Sequence, residues 1–278
     1  MPGPVAPVVR ELADAEATGP IATAYADLKA GLRLPYVGQV FRVLAIYPDF
    51  LQLAWRQLAP NVATTYFETA SGRILERVRA GTSRLSQAPD VPAAAAPVLR
   101  ACEYADAKLL LAVAIMRSAT RGELPRLQTL PPEMRAPAPA ALPGDRLETI
   151  EFPEDSDPGA QAVLDQIASA TGWPPSDTFR AIARWPDYLG VAWPELESLT
   201  ADASFRRLQT ELRRLAEECI LALPYRTNLS PHVLRQSGLS EEEIDNVHDL
   251  LDRAYAAIAG AAAATSWLST GGTRAPSD

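Results

Sequence analysis

Apolar residues recur every three or four positions along most of this chain, which is the spacing of amphipathic α-helices. The segments 21–32 (IATAYADLKAGL) and 160–171 (AQAVLDQIASAT) show this spacing, and a longer stretch covers 203–223 (ASFRRLQTELRRLAEECILAL). Another helix is predicted to follow Ser240, which has a glutamate three residues later in capping-box spacing. Only the run at 7–12 (PVVREL) alternates as a strand does. The pattern predicts an all-α protein.

The chain also repeats itself at an offset of 138 residues. Nine of the 18 positions from 41 to 58 are identical to their partners without a gap: Phe41/Phe179, Arg42/Arg180, Ala45/Ala183, Pro48/Pro186, Asp49/Asp187, Leu51/Leu189, Ala54/Ala192, Trp55/Trp193 and Leu58/Leu196. This agreement predicts two tandem copies of one helical unit. Two such units most simply pack about a pseudo-twofold axis, as an isologous dimer does, and their interface makes a pocket lined by equivalent positions.

Prolines mark the predicted organisation of the chain. The proline-rich run 130–148 is predicted to be an extended linker, because its prolines sustain neither helix nor sheet. It divides the chain into a first helical repeat at 1–129 and a second at 149–278. Tyr47 and Trp185 each precede a proline, which disfavours the α conformation, so a helix is predicted to start after each of them.

Composition narrows the classes of partner. A formal net charge of −8 disfavours nucleic acid and anionic membrane surfaces. The two cysteines lie far apart without metal-type spacing, and no secretory leader is recognised, so a cytoplasmic location is expected. The uncharged stretch 254–273 is mostly Ala, Gly, Ser and Thr, which predicts a buried, tightly packed helix rather than a membrane span.

The repeated motif F-R-x-x-A-x-[YW]-P-x-[FY]-L-x-x-x-W-x-x-L resembles the group I 2-haloacid dehalogenases, which act on both enantiomers of 2-halo acids. The resemblance covers most of the chain. It implies two helical repeats packed as a pseudo-dimer with the active site between them. It also implies a cofactor-independent hydrolase in which an aspartate activates a water that displaces halide directly. A small carboxylic acid is the implied substrate.

The resemblance carries the family's site residues over to named positions. The water-activating aspartate follows a serine just before the second F-R pair, which is Ser176–Asp177 here. Thr64 and Glu68, after the first W-x-x-L, match a functional threonine and glutamate. The positions implied to line the substrate pocket are Tyr36, Gln39, Tyr255, Ile258 and Ala259.

The most serious departure from the family is Asp106, which replaces an asparagine that helps to orient the water. If Asp106 faces Asp177, two carboxyl groups share a small space, so one stays protonated and the pair titrates jointly. A protonated Asp106 is nearly isosteric with asparagine, so dehalogenation survives with a lowered pH optimum. Gln39 and Ala259 also depart from the family and favour a larger or more polar substrate.

Repeated charged residues are predicted to be structural. Arg42 and Arg180 occur in both copies, which favours ion pairs with Asp49 or Asp187 over substrate binding. His248 lies among acidic residues and is predicted to be part of a solvated helix face rather than a metal site.

Three functions stay open. The first is 2-haloacid dehalogenation. The second is another acid–base reaction in the same pocket, such as epoxide opening, hydration or cyclisation of a larger metabolite by Asp106 and Asp177. The third is a non-catalytic binding protein, which a buried helix cap at Asp177 with no cavity beside it would favour. No glycine-rich phosphate loop or G-x-S-x-G elbow occurs. The oligomeric state is open, a homodimer included.

Overall fold

The computed structural model describes residues 9–124, 132–139, 147, 149–150, 152–153 and 157–274. Within these ranges the chain forms eleven α-helices: α1 Gly19–Leu32, α2 Gln39–Leu44, α3 Pro48–Val62, α4 Thr65–Thr82, α5 Ala95–Thr120, α6 Pro158–Thr171, α7 Asp177–Ile182, α8 Pro186–Thr200, α9 Ala203–Ile220, α10 Pro231–Gln236 and α11 Glu241–Leu268. Two-residue strands, β1 Val91–Pro92 and β2 Thr273–Arg274, pair in parallel. The predicted all-α class is confirmed.

Local sequence signals explain where several helices begin. The Thr64 hydroxyl caps α4 by accepting from the backbone N–H of Phe67 at 3.2 Å. Asp202 caps α9 in the same way through the N–H of Ser204 at 2.6 Å. Ser240 starts α11 with the capping box that its spacing predicts. These side chains bond backbone N–H groups that have no partner inside the helix.

The predicted repeat has a counterpart in the helix boundaries. Helices α2 and α7, α3 and α8, and α4 and α9 begin 138 residues apart, at 39 and 177, 48 and 186, and 65 and 203. The prolines that start α3 and α8 confirm the helix breaks predicted before them. These offsets support the repeat. The repeat, the pseudo-twofold packing and the division into two units stay predictions.

Helices α5 and α11 pack along each other at the centre of the molecule, with α4 and α9 against both. They are the two longest helices, with 26 and 28 residues. The final turns of α11, from Ala261 to Leu268, are buried, so the uncharged stretch forms the predicted interior helix. None of the helices in the described ranges has the length and apolar character needed to cross a membrane.

The described part of the predicted linker is not simply extended. Residues 132–135 form a short 3₁₀ turn, and the next residues pair with the start of α4. There the N–H of Thr65 donates to the carbonyl of Ala136 at 2.8 Å, and that of Ala138 donates to Ala63 at 2.9 Å. Backbone pairing therefore fixes this segment. The rest of the linker, at 130–131, 140–146 and 148, lies outside the described residues.

The two ends of the described chain differ in how they are held. The predicted strand at 7–12 does not form in its described residues, 9–12. Near the other end, the N–H of Val91 donates to the carbonyl of Gly272 at 2.7 Å, and β2 follows directly. The chain approaches so closely here that a Cβ at Gly271 would lie 2.1 Å from the carbonyl oxygen of Pro89. A glycine is therefore required at position 271.

Candidate active site

Asp177 is the first residue of α7, and its side chain is buried at 4% exposure. One oxygen, Oδ2, accepts from the backbone N–H of Gln39 at 2.8 Å. The other, Oδ1, accepts from Nη2 of Arg42 at 2.7 Å. The carboxylate is thus paired with a fixed positive charge, and each oxygen keeps a lone pair for another donor.

Glu11 completes a partly buried charge cluster around Asp177. It accepts from Nε of Arg42 and from Nη1 of Arg180, each at 3.0 Å. The two guanidinium groups and the two carboxylates balance in charge. Burial alone would lower the pKa of Arg42, but the adjacent carboxylates of Asp177 and Glu11 outweigh this effect and raise the pKa.

The ion-pair partners predicted for the repeated arginines are wrong. Asp49 and Asp187 are exposed residues in the first turns of α3 and α8. An acidic residue there is favoured by the unpaired N–H groups and needs no arginine. The arginines instead turn inward to Glu11, which sequence spacing did not single out.

Gln39 begins α2, and its side-chain amide is fully engaged within the protein. Oε1 accepts from the indole N–H of Trp173 at 3.0 Å. Nε2 donates to the carbonyl of Pro175 at 2.8 Å and to Glu11 at 3.1 Å. The amide therefore ties α2 to the segment that leads into α7. It holds the backbone N–H that binds Asp177.

Asp106 lies in the middle of α5 and is buried. Its Oδ2 accepts from the hydroxyl of Thr265 at 2.8 Å, and the hydroxyl of Thr178 lies 2.7 Å from that of Thr265. Burial is the main reason that the pKa of Asp106 rises to about 8; the nearby Asp177 adds to the rise, and the Thr265 hydrogen bond opposes it. Asp106 therefore holds its proton at neutral pH.

Asp106 and Asp177 both line one small cavity of about 30 Å³. Three other predicted site residues line it too: Gln39, Ser176 and Ile258. Such a volume holds one or two water molecules, since one water needs about 10–15 Å³. The hydroxyl oxygen of Ser176 is buried and has no hydrogen-bond partner among the described residues. The cavity thus joins an acid, a carboxylate and an unpaired hydroxyl.

The other five predicted site residues are not among the described residues that line this cavity: Tyr36, Thr64, Glu68, Tyr255 and Ala259. Thr64 caps α4, and Glu68 accepts from the ammonium group of Lys108 at 2.8 Å. The Tyr255 hydroxyl donates to the carbonyl of Arg213 in α9 at 2.6 Å. Their observed contacts are structural.

Tyr36 and Ala259 are also buried in the core. The ring of Tyr36 meets that of Phe152 edge to face, with centroids 5.4 Å apart. Burial is the main cause of the raised pKa of the Tyr36 hydroxyl, and Asp106 and Asp177 add to it. This tyrosine therefore lies near enough to the two acids to feel their charge, behind the cavity wall.

A larger cavity of about 460 Å³ adjoins the small one. It lies between α6, α8, α9 and α11, and the two cavities share four lining residues: Trp173, Ser176, Ala257 and Ala261. Exposed residues among its lining, including Arg206 and Ala256, mark a mouth open to solvent. The larger cavity therefore connects the surface with the neighbourhood of Asp177.

Comparisons with known proteins agree with this architecture. The chain is 27% identical over 223 residues to a configuration-inverting 2-haloacid dehalogenase of Alcaligenes xylosoxydans xylosoxydans, covering 74% of this chain and 75% of the relative. It is 25% identical over 264 residues to an (R)-2-haloacid dehalogenase of Pseudomonas putida, covering 89% and 87%. Both relatives are 2-haloacid dehalogenases. No protein-family model matches the chain.

The fold has a counterpart among solved structures. A crystal structure of a D-2-haloacid dehalogenase mutant superposes with a TM-score of 0.87 at 21% identity, covering 97% of this chain and 98% of that one. At this identity the likeness establishes the all-α fold alone. The sequence relatives broadly support the group I resemblance. They do not fix the subtype, since one is named for inversion and the other for the (R) enantiomer.

Proposed function

We propose that this protein is a cofactor-independent hydrolase that removes halide from 2-halocarboxylic acids. One observation carries the proposal: Asp177, paired with Arg42, and the buried Asp106 line the same water-sized cavity. The names of the two sequence relatives supply the reaction class. A cavity beside Asp177 also argues against the binding-only alternative.

Asp177 acts as the base in this proposal. A water in the small cavity transfers a proton to the carboxylate while its oxygen attacks C2 of the substrate. The new C–O bond forms as the carbon–halogen bond breaks, and the halide leaves with the bonding electron pair. Attack from the side opposite the halogen inverts C2. The products are a 2-hydroxy acid, halide and a proton, which Asp177 returns to solvent.

Asp106 orients the water in its protonated form. Because its Oδ2 accepts from Thr265, Oδ1 is the oxygen available to carry the proton and donate it in a hydrogen bond. This is the role that the resemblance gives to asparagine. An ionised Asp106 would add an uncompensated negative charge to a cluster that is balanced without it.

The remaining cavity residues suit the substrate. The unpartnered hydroxyl of Ser176 donates to the substrate carboxylate in this proposal. Ala257 and Ala261, which line both cavities, provide an apolar surface beside the reacting carbon. The five predicted residues away from the small cavity support its walls.

The direct test is halide release from racemic 2-chloropropionate by the wild-type protein and by Asp177→Asn. Loss of the general base predicts a fall in kcat of about 10²- to 10⁴-fold. Asp187→Asn is the matched control, because Asp187 is an exposed acid at the start of the next helix. The control should keep its rate within about twofold. Equal rates in wild type and Asp177→Asn would overturn the assignment of the base.

A second candidate uses the same two acids for another reaction, such as opening an epoxide on a larger carboxylic acid. The raised pKa of Asp106 beside Asp177 favours it, because groups pushed to different pKa values divide into acid and base. The test is consumption of 3-phenylglycidate by wild type, Asp106→Asn and Asp177→Asn. Consumption that both variants lose, without halide release from any 2-halo acid, would favour this candidate over dehalogenation.

A further inference from the structure

The small cavity is too confined to hold a whole substrate. Its volume of about 30 Å³ leaves room for the attacking water and little more. The rest of a 2-halo acid must therefore occupy adjoining space. The larger cavity provides that space, because it shares Trp173 and Ser176 with the small one and opens to solvent.

The size of the larger cavity exceeds the needs of a three-carbon acid. About 460 Å³ lies within the range of roughly 300–1,000 Å³ that proteins use for drug-sized ligands. Its inner wall is aromatic and aliphatic, formed by Phe179, Trp193, Leu196 and Phe205. A hollow of this size and chemistry fits an aromatic or branched hydrocarbon group.

Trp193 contributes one polar group to this apolar wall, its indole N–H. The residue is 3% exposed, and its indole N–H has no hydrogen-bond partner within the described part of the chain. A buried N–H without a partner destabilises a protein by about 1–3 kcal/mol, so an acceptor on a ligand in this cavity would gain a favourable hydrogen bond. At the mouth, the guanidinium groups of Arg206 and Arg253 favour entry of an anion.

We infer that the larger cavity binds the C2 substituent of the substrate, and that this substituent is a bulky group such as benzyl. The inference rests on the proposed function and names its substrate class. The carboxylate and the reacting carbon lie at Ser176, where the two cavities meet. The ring packs against the apolar wall that includes Phe179 and Trp193, whose own rings meet edge to face. A ring that also carries an acceptor, such as a 4-methoxy group, satisfies the Trp193 N–H as well.

The first test measures binding without catalysis, using the product analogues lactate and 3-phenyllactate. Titration calorimetry on the wild-type protein should show at least about tenfold tighter binding of 3-phenyllactate. Binding should also change the tryptophan fluorescence, because Trp173 and Trp193 both line the cavity. Trp193→Phe should leave binding of 3-phenyllactate intact and weaken that of its 4-methoxy derivative, whose ether oxygen is an acceptor.

The second test fills the cavity at Gly260 in α11. A Cβ there would lie 3.6 Å from Nε2 of Gln209, so the backbone admits a side chain that then projects toward the hollow. Gly260→Leu should lower the ratio of kcat/KM for 2-bromo-3-phenylpropionate over 2-bromopropionate by about tenfold. Gly190→Leu is the matched control, because Gly190 is an exposed helical glycine with nothing within 4 Å of an added Cβ. It should leave that ratio unchanged.

The outcomes separate this inference from the proposed function. Halide release from 2-bromopropionate, with equal binding of lactate and 3-phenyllactate, would overturn the inference and leave the function standing. Tight binding of 3-phenyllactate that Gly260→Leu abolishes, without halide release from either substrate, would support the cavity and overturn the dehalogenase assignment. If Gly260→Leu does not fold, the wild-type binding comparison still decides.

Discussion

Two sets of helices enclose spaces that differ in how far side chains fill them. The first set is α1, α3 and α4 with α5, and the second is α6, α8 and α9 with α11. In the first set, the fully buried Lys108 donates to the carbonyl of Leu32 at 2.9 Å and to Glu68 at 2.8 Å. Trp55 packs so closely on α1 that a Cβ at Gly31 would lie 2.6 Å from its ring. In the second set, the residues 138 positions after Glu68 and Trp55 are Arg206 and Trp193, and they line the larger cavity.

The difference shows that the lengths of the helices do not determine whether the space between them is filled or open. Lys108 bonds the end of α1, and Arg253 bonds the end of α6 through the carbonyl of Gly172 at 3.2 Å. Lys108 is enclosed with its carboxylate partner, whereas Arg253, 27% exposed at the mouth of a hollow, pairs with the exposed Asp249 at 3.6 Å. A few side chains thus fill one space and leave the other able to receive a ligand.

The largest expected effect comes from removing the buried cation, Lys108, from the filled space. Lys108→Met leaves Glu68, whose side chain is only 11% exposed, without its cation, which should reduce the free energy of unfolding by about 3 kcal/mol. Arg253→Met, at the hollow space, should change it by less than about 1 kcal/mol, because the arginine is partly solvated. Urea unfolding of both variants measures the difference.

The control for this comparison is the double variant Lys108→Met/Glu68→Gln. Removing both charges should recover part of the lost stability, since no unpaired carboxylate remains. Equal losses for Lys108→Met and Arg253→Met would show that the two spaces are energetically alike and would contradict the comparison.

The next effect concerns Asp106. The native protein holds this proton up to about pH 8, whereas the unfolded chain loses it near pH 4. The stabilising contribution of the protonated acid is therefore full below pH 4 and is lost as pH rises to about 8, by up to ~1.4 kcal/mol per pH unit. Asp106→Asn should remove this slope from urea unfolding curves between pH 5 and pH 8.

The same titration should appear in catalysis. If protonated Asp106 orients the water, kcat/KM of the wild-type protein falls as pH rises through about 8, and Asp106→Asn lacks that descending limb. Asp49→Asn, at an exposed acid, is the control and should keep the wild-type profile. If the descending limb of the pH profile persists in Asp106→Asn, that limb reports the titration of another group.

The smallest effect compares the same substitution in the two spaces. Gly31→Ala in α1 forces the Trp55 ring to move and should destabilise the protein by about 1 kcal/mol after the gain in helix propensity. Gly260→Ala in α11 has room for its methyl group and should stabilise by about 0.5–1 kcal/mol. Shifts of the melting temperature in opposite directions would support the comparison. If both substitutions raise the melting temperature, the Trp55 ring moves at little energetic cost.

The candidate site was predicted in part. Five predicted positions line the small cavity: Gln39, Ser176 and Asp177 lie at or just before the helix starts next to the repeated motif, whereas Asp106 and Ile258, inside α5 and α11, came from the resemblance alone. Thr64 and Glu68 have the spacing that the resemblance implies, but they cap a helix and bind Lys108. Spacing fixes a position along a helix and not the direction in which a side chain finds its partner.

The sequence by itself determined the helices: apolar periodicity, prolines after Tyr47 and Trp185, and the capping box at Ser240 are local signals that act within one or two turns. Only the tertiary structure decided that Glu11 bridges two arginines far along the chain, that Thr265 bonds Asp106, and that one space is hollow. Such contacts join residues more than 30 positions apart. Their partners are chosen by how the helices pack, which no local pattern encodes.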